Sequence, residues 1–153
     1  MTATRDMFDG LPSDRRERLR EVVSDVSFPG GTRIFEEGRR ADRFWVVRSG
    51  QVELDLHVPG RQAAVVDTVR PGELLGWSWL LPPYVWHLGA GAVRTVDAEQ
   101  YDATVVRALC EADPVFGRAM YRSVAEVVAD RLRGSRTRLL DLYGPQGSGT
   151  GRG

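Results

Sequence analysis

The sequence predicts a mainly β protein with flanking helices, on three observations. From about residue 27 to about 101, short apolar-patterned runs recur, each ended by a glycine turn. A short amphipathic segment precedes them, and a long segment with helical periodicity follows. Evenly spaced short strands with turns between them are the pattern of a sandwich, barrel or roll.

The leading segment, "LPSDRRERLREVVSDV", offers Ser13 as a capping residue, and Leu11, Leu19, Val22, Val23 and Val26 recur at helical spacing. It predicts one amphipathic helix. Phe28-Pro29-Gly30-Gly31 then turns the chain. "TRIFEE" runs to Gly38, and "RFWVVRSG" to the Ser49-Gly50 turn. "QVELDLHV" alternates, which puts Val52, Leu54, Leu56 and Val58 on one face and Glu53, Asp55 and His57 on the other. That is the pattern of a half-buried strand. "PGR" turns into "QAAVVDTV", and "RPGE" turns again. After a tryptophan-rich stretch, "AGAVRTVDAEQYD" supplies one or two more strands.

"DATVVRALCEADP" then predicts a short helix stopped at Pro114, and a second, long helix runs from there to Tyr143. Along it Tyr121, Ala125, Val128, Leu132, Ser135, Leu139 and Leu142 step alternately by four and three residues. This is a heptad seam, the spacing that packs a helix lengthwise on a like partner. At about 1.5 Å per residue the helix would span roughly 40 Å, with Gly134 costing about 1 kcal/mol against alanine. Residues 144–153 are glycine-rich and predict a flexible tail. One domain over residues 1–143 is expected, with the roll at about 27–101 and the trailing helices at about 102–142.

The 153 residues are 42% hydrophobic and 27% charged, ordinary for one domain with its own core. Basic and acidic residues balance at 21 each, so bulk charge points to neither nucleic acid nor membrane. No lysine occurs, which excludes a lysine-dependent phosphate loop, a Schiff base and a lysine general base. The lone cysteine, Cys110, excludes an internal disulfide and suits a reducing compartment. The N-terminus lacks a signal-like apolar core, and no apolar run is long enough to span a membrane. A cytoplasmic protein without cofactor or membrane partner is expected.

The order "PGG-T-RIFEEG-RRAD-RFWVVRSGQVELDL … VRPGELLG" resembles the cyclic-nucleotide-binding domain of the Crp–Fnr regulators and related kinase regulatory subunits. The resemblance rests on Gly30 or Gly31, Glu37-Gly38, Ala41-Asp42, Gly50, and Pro71-Gly72-Glu73 leading to Gly76, and it covers about residues 7–142. It implies a jelly-roll β-roll, a short helix and a long C-terminal dimerisation helix. It also implies a phosphate-binding cassette that opens at a Gly-Glu pair, whose glutamate holds the ribose hydroxyl. An arginine nine or ten residues later would pair with the cyclic phosphate.

Here Gly76 is kept, Trp77 stands where the glutamate belongs, and the arginine position falls on Trp86 or His87. No arginine occurs between Arg70 and Arg94. Hydrogen bonds to charged groups contribute about 1.5–3 kcal/mol each, so losing both anchors weakens cyclic AMP or GMP by orders of magnitude. A histidine is a poor substitute for a permanently charged guanidinium. Two readings remain for the degenerate cassette of Gly76, Trp77, Ser78, Trp79, Leu80, Trp86 and His87. Either it takes a flatter, more apolar ligand by ring stacking, or its own tryptophans fill it.

The family's transcription factors carry a helix-turn-helix domain after the long helix; here the chain ends ten residues past Tyr143, with no room for a recognition helix. Arg131, Arg133, Arg136 and Arg138 form the one basic cluster and read as a solvated helix face. His57 and His87 are too few for a cupin-type metal centre. Ser78 lacks the second glycine of a nucleophile elbow, because Trp79-Leu80 stands there. Glu36-Glu37 and Asp97 with Glu99 read as solvated, and Cys110 as a buried thiol. The expectation is a homodimeric, non-catalytic sensor module with a small-molecule ligand. The rival is a dimeric scaffold with a closed pocket that serves a protein partner.

Overall fold

The computed structural model describes residues 8–151, with side chains described to Leu142. The order is α1 (Ser13–Arg20), β1 (Val23–Phe28), β2 (Arg33–Phe35), β3 (Arg43–Ser49), β4 (Val52–Leu56), β5 (Ala64–Val69) and β6 (Leu74–Leu75). A 3-10 turn (Ser78–Leu80), β7 (Gly89–Ala92), β8 (Val96–Asp102), α2 (Ala103–Ala112) and α3 (Pro114–Gly151) follow. The strands form two four-stranded sheets, β1-β8-β3-β6 and β2-β7-β4-β5, and the strand pairs are antiparallel. Phe35 of the second sheet stacks on Trp45 of the first at 5.8 Å, so the two inner faces share one core. Helix outweighs strand because α3 alone runs 38 residues. The chain is therefore a β-roll within a mixed helix-and-sheet protein rather than a mainly β one.

Four sequence expectations change. The leading helix stops at Arg20, and Val22, Val23 and Val26 leave it; Val23 and Val26 pair with Tyr101 and Ala98 of β8. α1 buries only Leu19, so it has little apolar face to extend, and β-branched valines fit a sheet better. Ser13 makes no capping bond; the backbone carbonyl of Pro12 receives the Arg15 and Arg16 amides instead. The alternation in β4 fails after Leu54, where a bulge shifts the register. Asp55 consequently turns inward and Leu56 is exposed. Finally, α3 continues past residue 144 into the stretch expected to be a tail. Adding a turn to an existing helix is far easier than nucleating one. Residues 152–153 of that tail lie outside the described residues.

The inward Asp55 is paired. Arg33 meets it bidentately at 2.6 and 2.9 Å and also reaches Glu36 at 2.9 Å. These contacts, Asp55 foremost, push the Arg33 guanidinium further above its ordinary range. Opposite, a Cβ on Gly89 would lie 2.3 Å from Arg33 Nη2, so glycine makes room for the fork. The other carboxylates read as solvated are also engaged. Glu37 accepts the His57 amide at 2.9 Å, Asp97 accepts Ser49 Oγ at 3.0 Å, and Glu99 pairs with Arg48 at 2.5 Å.

Pro114 does end α2, but α3 restarts at once with that proline in its first turn, where a missing N–H is harmless. Asp113 Oδ1 accepts the Val115 and Phe116 amides at 3.1 and 3.3 Å, and Arg15 holds its other oxygen at 2.9 Å. The Arg15 bond, with those amides, keeps this carboxyl below its ordinary range. α2 and α3 cross closely: a Cβ on Gly117 would lie 2.6 Å from the Cys110 carbonyl oxygen.

Burial in this crossing pushes the Cys110 thiol up to about 11, with the Glu111 charge adding to the shift. A raised acid favours its protonated form in the folded chain. Its stabilising contribution is full below the unfolded value near 9 and is lost as pH rises through 11. The urea midpoint should therefore fall between these limits more in the natural chain than in Cys110→Ala; equal falls would overturn the assignment.

Candidate functional site

The site forms where β6 ends and the chain re-enters the roll at β7. Gly76 has φ +95, a conformation side chains resist, and the ring of Trp86 closes over it. A Cβ at Gly76 would stand 2.6 Å from Trp86 Cη2, so the glycine serves both the turn and the ring. Trp86 stacks on Phe35 with centroids 3.9 Å apart and planes at 13°, and is 4% exposed. It thus joins the core stack of Phe35 and Trp45.

Trp79 is wholly buried and points to the other side. Its ring stacks on Phe44 at 4.0 Å, and its Nε1 donates to the Gly76 carbonyl at 2.9 Å. Phe44 in turn stacks on Tyr101 at 4.9 Å. Leu80 is also buried. Trp77 is only half-buried and lies parallel to the His87 ring at 5.9 Å, and His87 Nδ1 is hydrogen-bonded to Ser78 Oγ at 3.2 Å. The seven cassette residues therefore divide. Gly76, Trp77, Ser78, Trp86 and His87 line a small cavity, whereas Trp79 and Leu80 belong to the core.

That cavity is about 50 Å³, walled also by Phe35, Leu54, Leu88 and Arg131. Pockets that hold drug-sized ligands measure roughly 300–1,000 Å³. In this conformation the space admits little more than a water or two, and a ligand enters only if an aromatic ring moves. Trp77 is the ring with exposed surface and no core stack, so it is the one free to do so.

The sequence reading passed over Arg107 and took Arg131 for part of a solvated helix face. Arg107 of α2 donates to the Trp79 carbonyl at 2.6 Å and lies over the Tyr84 ring at 4.2 Å, which ties the tryptophan segment to α2. Arg131 of α3 reaches the cavity wall, donates to the Leu74 carbonyl at 2.7 Å and pairs with Asp67 at 3.2 Å. The available signal was positional. Phe116, Met120, Val124 and Val127 form the roll-facing stripe of α3, and Arg131 continues it. Arg131 and Arg138 therefore engage β5, contrary to a solvated face, while Arg133 pairs with Asp130 on the helix itself. The seam lies on other positions. Tyr121, Leu132, Leu139 and Leu142 are 48–64% exposed, Ala125 is exposed and Val128 half-buried.

Glycines at positive φ at 31, 38, 50, 72 and 76 close the turns of this roll, and two trailing helices follow it, which defines the class of β-rolls with a C-terminal helical pair. The sequence matches the family described as cyclic nucleotide-binding domain over residues 25–113, and the chain belongs to that family.

Among its relatives, the CRP-like cAMP-activated global transcriptional regulator of Mycobacterium tuberculosis H37Rv is 25% identical over 136 residues. That match takes in 89% of this chain and 59% of the regulator. The chain thus spans about three-fifths of that relative's length. Among solved structures, a protein of Geobacter metallireducens GS-15 assigned to cyclic-nucleotide binding superposes with a TM-score of 0.75 at 28% identity, over 82% of this chain and 91% of that one. The Thermus thermophilus catabolite activator protein gives 0.70 at 26% identity, over 89% and 62%.

Proposed function

We propose that the chain is a non-catalytic regulatory module in which a small ligand, entering beside Trp77, reorders the tryptophan segment and shifts the trailing helices. The observation that carries this reading is the aromatic cavity of Gly76, Trp77, Ser78, Trp86 and His87 at the family's cassette position. The cyclic AMP in the mycobacterial regulator's name does not transfer. Trp86 packs on Gly76, residues 71–93 hold no arginine or lysine, and Arg131 of the cavity wall is already engaged by Asp67 and the Leu74 carbonyl. The ligand this lining suits is flat and weakly charged, held by stacking at about 1–3 kcal/mol per ring.

No described helix is long and apolar enough to cross a membrane, and the single cysteine is a free, buried thiol. Both accord with a cytoplasmic site of action. The exposed seam supports a homodimer formed through Tyr121, Ala125, Val128, Leu132, Leu139 and Leu142.

A second reading is favoured by one observation: Trp79 and Trp86 are core residues, at 0% and 4% exposure. In it the pocket is permanently closed, and the module acts as a dimeric scaffold for a protein partner.

A thermal-shift screen with tryptophan fluorescence decides between them, using cyclic mono- and dinucleotides, nucleotides and common metabolites. Ligand at 100 times its Kd stabilises a fold by about 2.7 kcal/mol. We expect no shift with cyclic AMP or GMP and a shift with a flat, uncharged or weakly charged compound. A shift with cyclic AMP or GMP would overturn the assignment of Trp77 and Trp86 to the lost anchors. Silence across the panel would favour the scaffold.

A further inference from the structure

α3 leaves the roll gradually. Its first turns bury Phe116, Met120 and Val124 against the core, and Val127 and Val128 are half-buried. From Leu132 to Leu142 the described side chains are exposed apart from Gly134. Along that outer half the helix is nevertheless tied down. Arg131 and Arg138, two turns apart on one face, converge on the single carboxylate of Asp67 at 3.2 and 3.5 Å. Arg131 also donates to the Leu74 carbonyl at 2.7 Å, and Arg138 donates to the Val66 carbonyl.

β5 is the edge strand of its sheet, which leaves the Val66 carbonyl open to a side chain. Asp67 is oriented by its own strand, because its Oδ1 accepts the Thr68 amide at 2.8 Å. Under the clasp lies a cavity of about 270 Å³ whose lining includes Leu74 and Val127 beside the charged Asp67, Glu73, Arg131 and Arg138. The outer half of α3, whose own apolar side chains are exposed, is thus tied to the roll by the Arg131 and Arg138 contacts.

The hold is also incomplete. Arg131 Nε is buried without an acceptor among the described residues, a penalty the closed arrangement carries and an open one would relieve. The same side chain walls the small cavity beside Trp86 and Trp77.

We propose that Asp67 is the release point of α3: a carboxylate clasp that keeps the outer half of the helix against the roll, with the seam leucines Leu132 and Leu139 left exposed. The clasp rests on contacts within one chain and stands whether or not the pocket takes a ligand.

Amide hydrogen exchange read by mass spectrometry tests it, on the natural chain, Asp67→Asn, Asp67→Glu and Arg138→Gln. Residues 131–142 should exchange about tenfold faster in Asp67→Asn and faster in Arg138→Gln, with β3 and β8 unchanged and protection largely restored in Asp67→Glu. High salt should loosen the natural chain but not Asp67→Asn. Unchanged exchange in Asp67→Asn, or no rescue by Asp67→Glu, would overturn the clasp. Repeating the series in Leu132→Glu/Leu139→Glu removes any protection by a second copy. A failed dimer then shows in sedimentation, and a failed clasp in exchange.

Discussion

Trp79→Ala should lower the unfolding free energy by about 3–5 kcal/mol, a large share of the 5–15 kcal/mol typical of a domain. The ring is wholly buried and stacked on Phe44 at 4.0 Å, and its Nε1 serves the Gly76 carbonyl at 2.9 Å. Truncation leaves an indole-sized void beneath the cassette, strips Phe44 of a partner and orphans that carbonyl. Trp77→Ala, two residues away, removes a half-buried ring that stacks on His87. Trp77 borders the core without being enclosed by it, so its loss should cost less, about 1 kcal/mol. Urea denaturation compares the two through the midpoint at constant slope. A small loss for Trp79→Ala would mean that the ring does not plug the core, and the division of the tryptophans into wall and plug would fall.

Leu132→Glu together with Leu139→Glu should convert a dimer to monomer in sedimentation velocity. Each leucine is 58% exposed in the single chain, and they stand two turns apart on the seam. Burying such a side chain at an interface contributes about 1.5–3 kcal/mol, and two substitutions act in both protomers. Carboxylates facing one another across a seam add repulsion and desolvation to that loss. The fold of each chain should be retained, because neither leucine is among the residues packed on the core. An unchanged dimer would sink the assignment of the seam.

The legible parts of the chain were those where the requirement is local. A glycine is called for where φ is positive, and the Gly50 turn adds a steric demand: a Cβ there would meet the Thr95 carbonyl at 2.3 Å. Those glycine spacings therefore carried the roll into the sequence. Pro114 likewise announced a helix boundary. The split of "VVSDV" from its helix was not legible, because the pairing partner, β8, lies some seventy residues on. Nor was the inward turn of Asp55. A bulge is invisible to a period-two pattern, and the partner that makes the turn tolerable, Arg33, sits on another strand.

The sequence by itself determined the family, the order of strands and helices, and the heptad spacing along the long helix. Each depends on residue type and near spacing. Only the tertiary structure decided which tryptophan plugs the core, which walls the cavity, and which arginines leave the solvent for Asp67. Those outcomes depend on what faces each side chain across the roll. Trp77, Trp79 and Trp86 are chemically alike in the chain, and they part company because Phe44 waits for one, Phe35 for another, and only His87 for the third.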